Sequence, residues 1–416
     1  MKENNHVTIS NKKHSFFPII LGTDMNAYTM SISFHQEYGI KPVLVGKMPI
    51  PFTEGSTIIE EIHYDPKIED HEYFVRYLQK IAATYKKDYD DLILIGTNDA
   101  YVSFIIENQE ILSKDYLFNY IDNQLLPKLY LKKSFYELCA EYGIDAPLTY
   151  FYSCQSEEPF VEDVPFPLIV KPSNGIEYYD HPFEGMQKVF KVNNNEELQN
   201  VIQKIKTSGY SDELIIQDFI PGDDTFMWDA VYYGSSEGKS QIVSFAQVVL
   251  QEPTKTGVGN YTALITRHNQ EMMEKLVHFM EALDYNGFAN FDIKFDQRDG
   301  KYKLFEVNVR QGRSSYYLTQ AGHNLARLLV DDLILKQEKE MVYLDDHRVF
   351  SVVPKIVLRH FIEDEALVSE VNTLIKKGKY NNPLFYGPDK GIKRKIMMTL
   401  RQINYYKKYK TLNWQD

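Results

Sequence analysis

The segment that most constrains how this chain folds runs from Asn290 to Arg313 and reads NFDIKFDQRDGKYKLFEVNVRQGR. Apolar and polar residues alternate on both sides of a glycine-containing turn, a pattern typical of a β-hairpin with one face in the core. We take Arg298–Gly300 as a three-residue loop, with the glycine in the left-handed position. In that register Asp292 and Glu306 lie directly opposite each other on the polar face, although a bulge would shift the pairing by one residue.

Two facing carboxylates on one hairpin indicate a cation site. Like charges directly opposite each other destabilise a sheet, and a divalent cation between them removes that penalty. Asn308 lies on the same face of its strand as Glu306 and adds an amide oxygen. A ligand set made only of oxygens favours Mg²⁺ over a soft metal. The alternative is a pair of solvated surface carboxylates, which many hairpins carry.

The composition narrows the class of protein. With 416 residues, the chain is long enough for two or three domains with full-sized cores. The net charge of -12 argues against general affinity for the nucleic acid backbone, which requires positive charge. Cys139 and Cys154 form no CxxC pattern, so neither a disulfide framework nor a zinc site is expected. A polar N-terminus and the lack of a long apolar window lead us to expect a cytoplasmic protein without a transmembrane segment.

The N-terminal part of the chain predicts a doubly wound α/β domain. Residues 16–22 form an apolar strand, residues 26–38 a helix with Asn26 as its N-cap, and residues 42–46 and 92–96 further buried strands. Sheets of this kind bind ligands at the carboxyl ends of their strands. The domain also suggests a nicotinamide oxidoreductase as an alternative, but the GxGxxG fingerprint is missing after the first strand.

Two lysines and one strand-to-turn junction stand out in the middle of the chain. Lys132 lies in the first turn of a predicted helix, where its charge opposes the helix dipole and makes an anionic partner attractive. Lys171 ends the apolar strand PLIVKP and precedes a flexible polar turn, so it is well placed to meet a phosphate. The octet QDFIPGDD, residues 217–224, has a strand edge whose backbone groups could bind a planar base. Its acidic side chains could accept hydrogen bonds from ribose hydroxyls. Taken singly, each feature is better explained as an ordinary strand end, turn or basic patch.

In this order and at these intervals, the features resemble the ATP-grasp superfamily over residues 127–330. The resemblance implies a helix lysine before a Gly-Ile-x-x-Pro turn, which Lys132 and residues 143–147 match, and a second phosphate lysine, which Lys171 matches. It implies ATP as a substrate and one or two Mg²⁺ ions at the hairpin, with Mn²⁺ able to substitute. The implied nucleotide contacts are Gln217, Asp218, Phe219, Ile220 and Asp224, and the implied metal ligands are Asp292, Glu306 and Asn308.

Two departures from the family pattern concern the nucleotide and the reacting groups. The hinge that contacts adenine commonly carries Glu where this chain has Gln217 or Asp218. Many members have an arginine two residues before the first metal carboxylate, and this chain has Asn290 there. The arginine that stabilises the tetrahedral oxyanion is therefore expected elsewhere, and Arg310 and Arg313 are the candidates.

The resemblance also divides the chain into segments. It implies an N-terminal preATP-grasp-like α/β domain over residues 1–125 and a two-lobed ATP-grasp domain over residues 126–335. The small lobe that covers the nucleotide is about residues 150–222. A basic, mostly helical extension follows over residues 336–416. The expected fold class is therefore α/β, with α+β character in the ATP-grasp part.

A narrower resemblance implies a substrate. PIILGTDMNAYTMSISFHQEYGIKPVLVG near the start and EVNVRQGRSSYYLT at residues 306–319 look like the D-aspartate ligases of peptidoglycan synthesis. Those enzymes activate the β-carboxylate of D-aspartate with ATP and join it to the lysine ε-amine of a precursor stem peptide. The alternatives are another ATP-grasp amino-acid or peptide ligase and a non-catalytic nucleotide-binding regulatory protein.

Two further segments have open roles. Residues 376–410 are rich in Lys and Arg with interleaved tyrosines, and only Asp389 opposes their charge. A basic aromatic helix of this kind can make weak peripheral contact with anionic lipid, but a helix packed on the core is the favoured interpretation. Gln251–Thr262, rich in Gly and Thr, is expected to be a mobile loop that closes over the nucleotide and excludes water.

Overall fold

The computed structural model describes residues 6–9, 12–161, 164–254, 257 and 259–412. The first five residues and positions 255, 256 and 258 of the predicted mobile loop lie outside this set. The chain forms two compact units. The first is drawn from Met1–Leu126, Asp224–Asp292 and Val307–Asp416, and the second from Pro127–Asp223 and Ile293–Glu306. Throughout the described ranges, every helix is too short or too polar to reach across a bilayer.

The first unit begins with a five-stranded sheet. Its strands are β1 (His6–Ile9), β2 (Lys12–Leu21), β3 (Val43–Gly46), β4 (Glu61–Tyr64) and β5 (Asp91–Gly96). The helices are α1 (Met25–Tyr38), α2 (His71–Tyr85), α3 (Asp99–Glu107) and α4 (Gln109–Leu112). β2 pairs in parallel with both β3 and β5, and β4 extends the sheet beyond β3. Because α1 leads to β3 and α2 leads back to β5, the predicted doubly wound topology is confirmed, with its switch point at the carboxyl ends of β2 and β5.

The second unit contains a four-stranded antiparallel sheet. Its strands are β6 (Thr149–Ser153), β7 (Leu168–Pro172), β8 (Phe190–Val192) and β9 (Glu213–Asp218), in the order β6-β9-β7-β8. The helices of this part of the chain are α5 (Leu126–Tyr130), α6 (Lys132–Glu141), α7 (Gly175–Asp180) and α8 (Asn195–Thr207). The Asn194 side chain caps α8 by accepting from the Glu197 N–H at 2.9 Å, and the helix buries Leu198, Ile202 and Ile205 in the core of this sheet.

The remaining strands form an eight-stranded sheet in the order β14-β13-β10-β11-β12-β16-β17, with β15 paired to β11. These strands are β10 (Met227–Gly234), β11 (Ser240–Gln251), β12 (Tyr261–Arg267), β13 (Gly287–Asp296), β14 (Lys301–Asn308), β15 (Val342–Tyr343), β16 (Val349–Ser351) and β17 (Tyr380–Asn381). The accompanying helices are α9 (Gln270–Ala282), α10 (Tyr316–Gln320), α11 (Leu325–Leu333), α12 (Lys355–Phe361), α13 (Glu365–Lys376) and α14 (Ile392–Thr411). One apolar core joins β11, β12 and β16 to α12, α13 and α14.

The predicted hairpin forms, but its turn is one residue longer than expected. β13 ends at Asp296 and β14 begins at Lys301, so four residues connect them. Gly300 takes the left-handed conformation, with φ at 71°, and its N–H donates to the Asp296 carbonyl at 2.8 Å. The three-residue loop was therefore wrong, while the position of its glycine is confirmed. A longer turn shifts the cross-strand partners, so the face-to-face placement of Asp292 and Glu306 stays a prediction.

Candidate functional site

A lysine–carboxylate pair ties the first turn of α6 to β14. The Lys132 ammonium donates to a Glu306 carboxylate oxygen at 2.6 Å and to the Phe305 carbonyl at 3.2 Å. α6 begins without a side-chain cap, so the ammonium lies at the positive end of the helix dipole, where it needs a negative partner. Glu306 supplies that charge. The lysine side chain is 26% exposed and the glutamate 41%, so solutes can reach the pair and compete for either partner.

A second ammonium group lies near this pair. Lys171, in β7, donates to Gln217 Oε1 over 3.5 Å. Burial and then the Lys132 ammonium lower the pKa of Lys171 to about 8, and the Glu306 carboxylate opposes that shift. We call Lys132, Lys171 and Glu306 the lysine–glutamate triad. Its two ammonium groups share one carboxylate, which leaves positive charge for an anionic ligand to balance.

Gln217 positions one member of the triad. Its side chain is 2% exposed, and its amide NH₂ donates to the Tyr136 hydroxyl at 2.9 Å and to Thr149 Oγ1 at 2.7 Å. With both donor sites used, the amide oxygen faces Lys171. The Gln217 side chain thus accepts from Lys171, and its predicted contact with adenine, like that of Lys171 with phosphate, stays a prediction. No local sequence pattern marks Tyr136 or Thr149 as its partners, because they come from α6 and β6.

The other predicted adenine contacts have partners of their own. Asp218 binds the Arg298 guanidinium through both carboxylate oxygens, one of them at 3.0 Å. The Phe219 ring has the Lys191 ammonium 4.0 Å from its centroid. Ile220 is 3% exposed. Nearly all of the apolar surface of Ile220 is therefore covered by the protein, and the adenine contacts of these residues stay a prediction.

Asp224, the predicted ribose acceptor, is buried in the first unit. Its two carboxylate oxygens accept from the Gln251 backbone N–H at 2.9 Å and from the Gln251 side-chain amide at 2.8 Å. A ribose hydroxyl would have to compete with these bonds. Asp223, one residue earlier, is exposed and offers a carboxylate without that burial. The assignment of Asp224 to ribose stays a prediction.

The predicted metal ligands of the first unit lie on the two hairpin strands. Asp292 is half-buried on β13, and Asn308 closes β14, where its amide donates to the Asn290 carbonyl at 3.3 Å. In the described ranges, no three or more His, Cys, Asp or Glu side chains gather as a metal-binding group. Two carboxylates and an amide are hard oxygen donors, which fit Mg²⁺ if phosphate oxygens and water complete its coordination.

Arg310 extends from the hairpin toward the switch point of the first sheet. Its guanidinium donates to both oxygens of Asp99, at 2.7 and 3.3 Å, and to Asn308 Oδ1 at 3.4 Å. Asp24 lies close enough to interact with the same charge: burial raises the pKa of Asp24, while the Ala27 N–H and then Arg310 oppose the shift. Arg310 thus has acidic partners that an incoming carboxylate or oxyanion can replace.

Asn26 does not cap α1 as predicted. Asp24 takes that position and accepts from the Ala27 N–H at 2.9 Å. The Asn26 amide instead donates to the carbonyls of Thr97 and Gln311, at 2.9 and 2.8 Å. The Gln311 amide donates to a backbone carbonyl of β5 at 3.1 Å. Within the described residues, Asn26 Oδ1 and Gln311 Oε1 are buried acceptors without a hydrogen bond, so they suit a donor from a ligand.

Arg313, the second candidate arginine, is fixed in the first unit. Its guanidinium donates to the Tyr261 carbonyl at 2.8 Å, and burial lowers its pKa. The acidic groups of Tyr405 and Glu252 oppose that shift. Arg310 is therefore better placed than Arg313 to exchange partners during a reaction, although neither role is tested.

Asn290, where many family members have an arginine, belongs to a buried network. Its amide donates to Asp229 and, at 3.2 Å, to the Ala230 carbonyl. Asp229 has no exposed surface, and burial raises its pKa to about 7. Hydrogen bonds from Ser314 and Asn290 act in the opposite direction and lower the pKa. No sequence pattern marks Asp229, because it lies in an ordinary alternating strand and meets Asn290 only in the folded sheet.

Comparisons with known proteins identify the fold. A D-aspartate ligase from Enterococcus faecium (strain Aus0004) is 34% identical over 415 residues, covering 96% of this chain and 97% of that protein. The L-amino acid ligase from Bacillus licheniformis superposes with a TM-score of 0.54 at 16% identity, over 78% of this chain and 75% of that chain. The ADP complex of an N5-carboxyaminoimidazole ribonucleotide synthetase superposes with a TM-score of 0.58 at 13% identity, over 90% of this chain and 99% of that chain. No family model matches. The ATP-grasp fold expected from the sequence is confirmed.

The triad predicts an unusual lysine titration. Without nucleotide, the Lys171 ammonium should titrate near pH 8, well below the ordinary lysine pKa of 10.5. Glu306→Gln should lower this pKa because a neighbouring negative charge is lost, and Lys132→Met should raise it because a positive charge is lost. Carbon-13 NMR of the lysine ε-carbons measures the titration, and Lys171→Arg assigns the signal. Lys133→Met, at an exposed neighbour, is the matched control and should change nothing. Titration of Lys171 with the bulk lysines would contradict the assignment.

Proposed function

The chain belongs to the family of D-aspartate ligases, ATP-grasp enzymes that form carbon–nitrogen bonds, and we propose that it joins the β-carboxylate of D-aspartate to the lysine ε-amine of a peptidoglycan precursor stem peptide. ATP is the third substrate, and ADP and phosphate are released. The observation that carries the proposal is the lysine–glutamate triad. Its surplus of positive charge, held on α6 and β7, suits a bound polyphosphate.

Binding of ATP exchanges partners within the triad. In the structure the Lys132 ammonium donates to the Glu306 carboxylate at 2.6 Å. Phosphate oxygens carry more negative charge than one carboxylate. They therefore replace Glu306 as the partner of the Lys132 ammonium and keep Lys171 protonated. Glu306 then exchanges the Lys132 ammonium for a metal ion. The triad therefore couples nucleotide binding to completion of the metal site.

Asp292, Glu306 and Asn308 would hold Mg²⁺. The ion, when bound, neutralises charge on the terminal phosphates of ATP. The support is chemical, because the three side chains supply only hard oxygens. Arg310 donates to Asn308, so the same contact that orients the amide oxygen also holds the arginine beside it.

The reaction requires an activated carboxylate, because oxide is too poor a leaving group for direct attack by an amine. The β-carboxylate attacks the γ-phosphorus of ATP, ADP departs, and an acyl phosphate forms. The amine then attacks the acyl carbon, loses a proton, and expels phosphate from the tetrahedral intermediate. Lys132 and Lys171 balance the phosphate charge, and Arg310 stabilises the oxyanion by roughly 3 kcal/mol, the size of one such contact in comparable sites.

The amino-acid substrate is assigned to the switch point of the first sheet. Asn26 Oδ1 and Gln311 Oε1 are buried acceptors that suit the α-ammonium group of an amino acid. Arg310, currently paired with Asp99, suits a carboxylate of the same molecule. Acceptors for an ammonium beside a donor for a carboxylate favour an amino acid over a simple acid. This assignment does not distinguish D- from L-aspartate.

Product analysis tests the proposed reaction. ATP, Mg²⁺, D-aspartate and a lysine-containing muramyl peptide nucleotide should give one aspartyl amide on the lysine, together with ADP and phosphate, detected by mass spectrometry. L-aspartate is the control and should give no amide. An amide formed from another amino acid would indicate a ligase of different specificity. Absence of any ADP release across a panel of carboxylates and amines would indicate a nucleotide-binding regulatory protein.

Substitution of the metal carboxylates should abolish turnover without unfolding the chain. Asp292→Asn and Glu306→Gln keep the side-chain shape but remove charge that helps neutralise the phosphates, so kcat should fall by about a thousandfold. Coupled ADP release measures activity, and thermal unfolding checks the fold. Asp299→Asn is the matched control, because this exposed carboxylate of the hairpin turn pairs with the Lys303 ammonium and accepts from the Lys301 N–H. Full turnover of either metal-site variant with Mg²⁺ would remove that residue from the mechanism.

A further inference from the structure

Helix α14 has two apolar faces, and only one of them is packed. Its inner face buries Arg394, Met398, Gln402, Tyr405 and Tyr409. On the opposite side, exposed fractions are 75% for Ile392, 57% for Ile396, 60% for Leu400 and 53% for Ile403. These four residues recur at helical spacing and form a continuous stripe. We call them the outer stripe.

The inner face fixes the helix, so the outer stripe cannot rotate into the core. The Arg394 guanidinium donates to the Phe52 and Leu384 carbonyls at 2.7 and 3.0 Å and lies 3.6 Å from the centre of the Tyr28 ring. Gln402 donates to the Val352 carbonyl at 2.8 Å. Turning the helix to bury the outer stripe would leave these groups without partners.

Asp389, the acid that the sequence singled out within the basic tail, anchors the start of this helix. It is 1% exposed and accepts from the Tyr28 hydroxyl at 3.0 Å, from Ser56 Oγ at 2.8 Å and from the Gly391 N–H at 3.1 Å. The favoured interpretation of a helix packed on the core therefore describes one side of α14. It does not account for the other.

Positive charge surrounds the outer stripe. α14 carries seven Lys or Arg residues and no Asp or Glu, on a chain whose net charge is -12. Lys393, Lys395, Lys407 and Lys410 are all exposed. Within the described part of the chain, Lys393 alone of these four has an ion pair, with Glu54 at 3.3 Å. Apolar side chains flanked by solvated lysines are typical of a helix that lies in the plane of an anionic bilayer surface.

We propose that α14 docks the protein on anionic lipid membranes, with the outer stripe among the acyl chains and the flanking lysines at the headgroups. A second copy of this chain is a poorer occupant, because isologous docking would bring two sets of unpaired lysines together. Nucleic acid would use the lysines but would leave the isoleucines and Leu400 in water. The proposal is independent of the ligase reaction.

Vesicle sedimentation with the full chain tests the proposal. The protein should pellet with phosphatidylcholine vesicles that contain phosphatidylglycerol, and not with pure phosphatidylcholine. Ile396→Glu combined with Leu400→Glu should lower the partition coefficient by at least about tenfold, and Lys395→Glu should lower it by about fivefold or more. Val161→Glu, at an 80% exposed residue outside the stripe, is the matched control and should bind like the parent chain.

Several results would overturn this proposal. One is failure of the parent chain to pellet with anionic vesicles at low salt. Another is unchanged binding by the Ile396→Glu, Leu400→Glu double variant when its thermal unfolding matches that of the parent chain. Sedimentation equilibrium provides a third check: a dimer abolished by the double substitution would make the stripe an interface between copies. Loss of ligase turnover has no bearing on this test, which reads only lipid binding.

Discussion

The charges of Lys132, Lys171 and Glu306 determine what the proposed site can bind. Two ammonium groups lie beside one carboxylate, and burial lowers the pKa of one of them, Lys171, to about 8. Their positive charge is therefore only partly balanced. The backbone places these groups from three separate elements, α6, β7 and β14. An anionic ligand would balance the charge of such a site. In the proposed mechanism, nucleotide binding, metal binding and activation of a carboxylate depend on that imbalance.

The sequence predicted the elements well, because each depends on short-range patterns. Alternation over 290–313 correctly indicated a hairpin, and a lysine at the start of α6 correctly indicated a charged partner. The sequence-based predictions were wrong where a small shift along the chain decides the outcome. Four residues, not three, form the hairpin turn, and Asp24, not Asn26, caps α1. Asp24 and Asn26 are both suitable helix caps, and only tertiary contacts decide which of them caps α1.

Partners distant in sequence were beyond sequence reasoning. Tyr136 and Thr149 turn the Gln217 amide oxygen toward Lys171, a set of contacts that the sequence did not predict. Asp229 had no recognisable signal, although burial gives it a pKa of about 7 beside Asn290. In the basic tail the composition showed the charge but not which side of α14 is packed. In each case the contact that decides the outcome joins segments far apart in the sequence, and the hydrophobic periodicity of either segment does not reveal it.

The most direct test of the central claim is a crystal structure with ADP and Mn²⁺, located by anomalous scattering. The account predicts phosphate oxygens on Lys132 and Lys171, and Mn²⁺ bound by Asp292, Glu306 and Asn308. In that state the 2.6 Å contact between Lys132 and Glu306 should be broken. Bound nucleotide with that contact intact, or an ion far from these carboxylates, would contradict it.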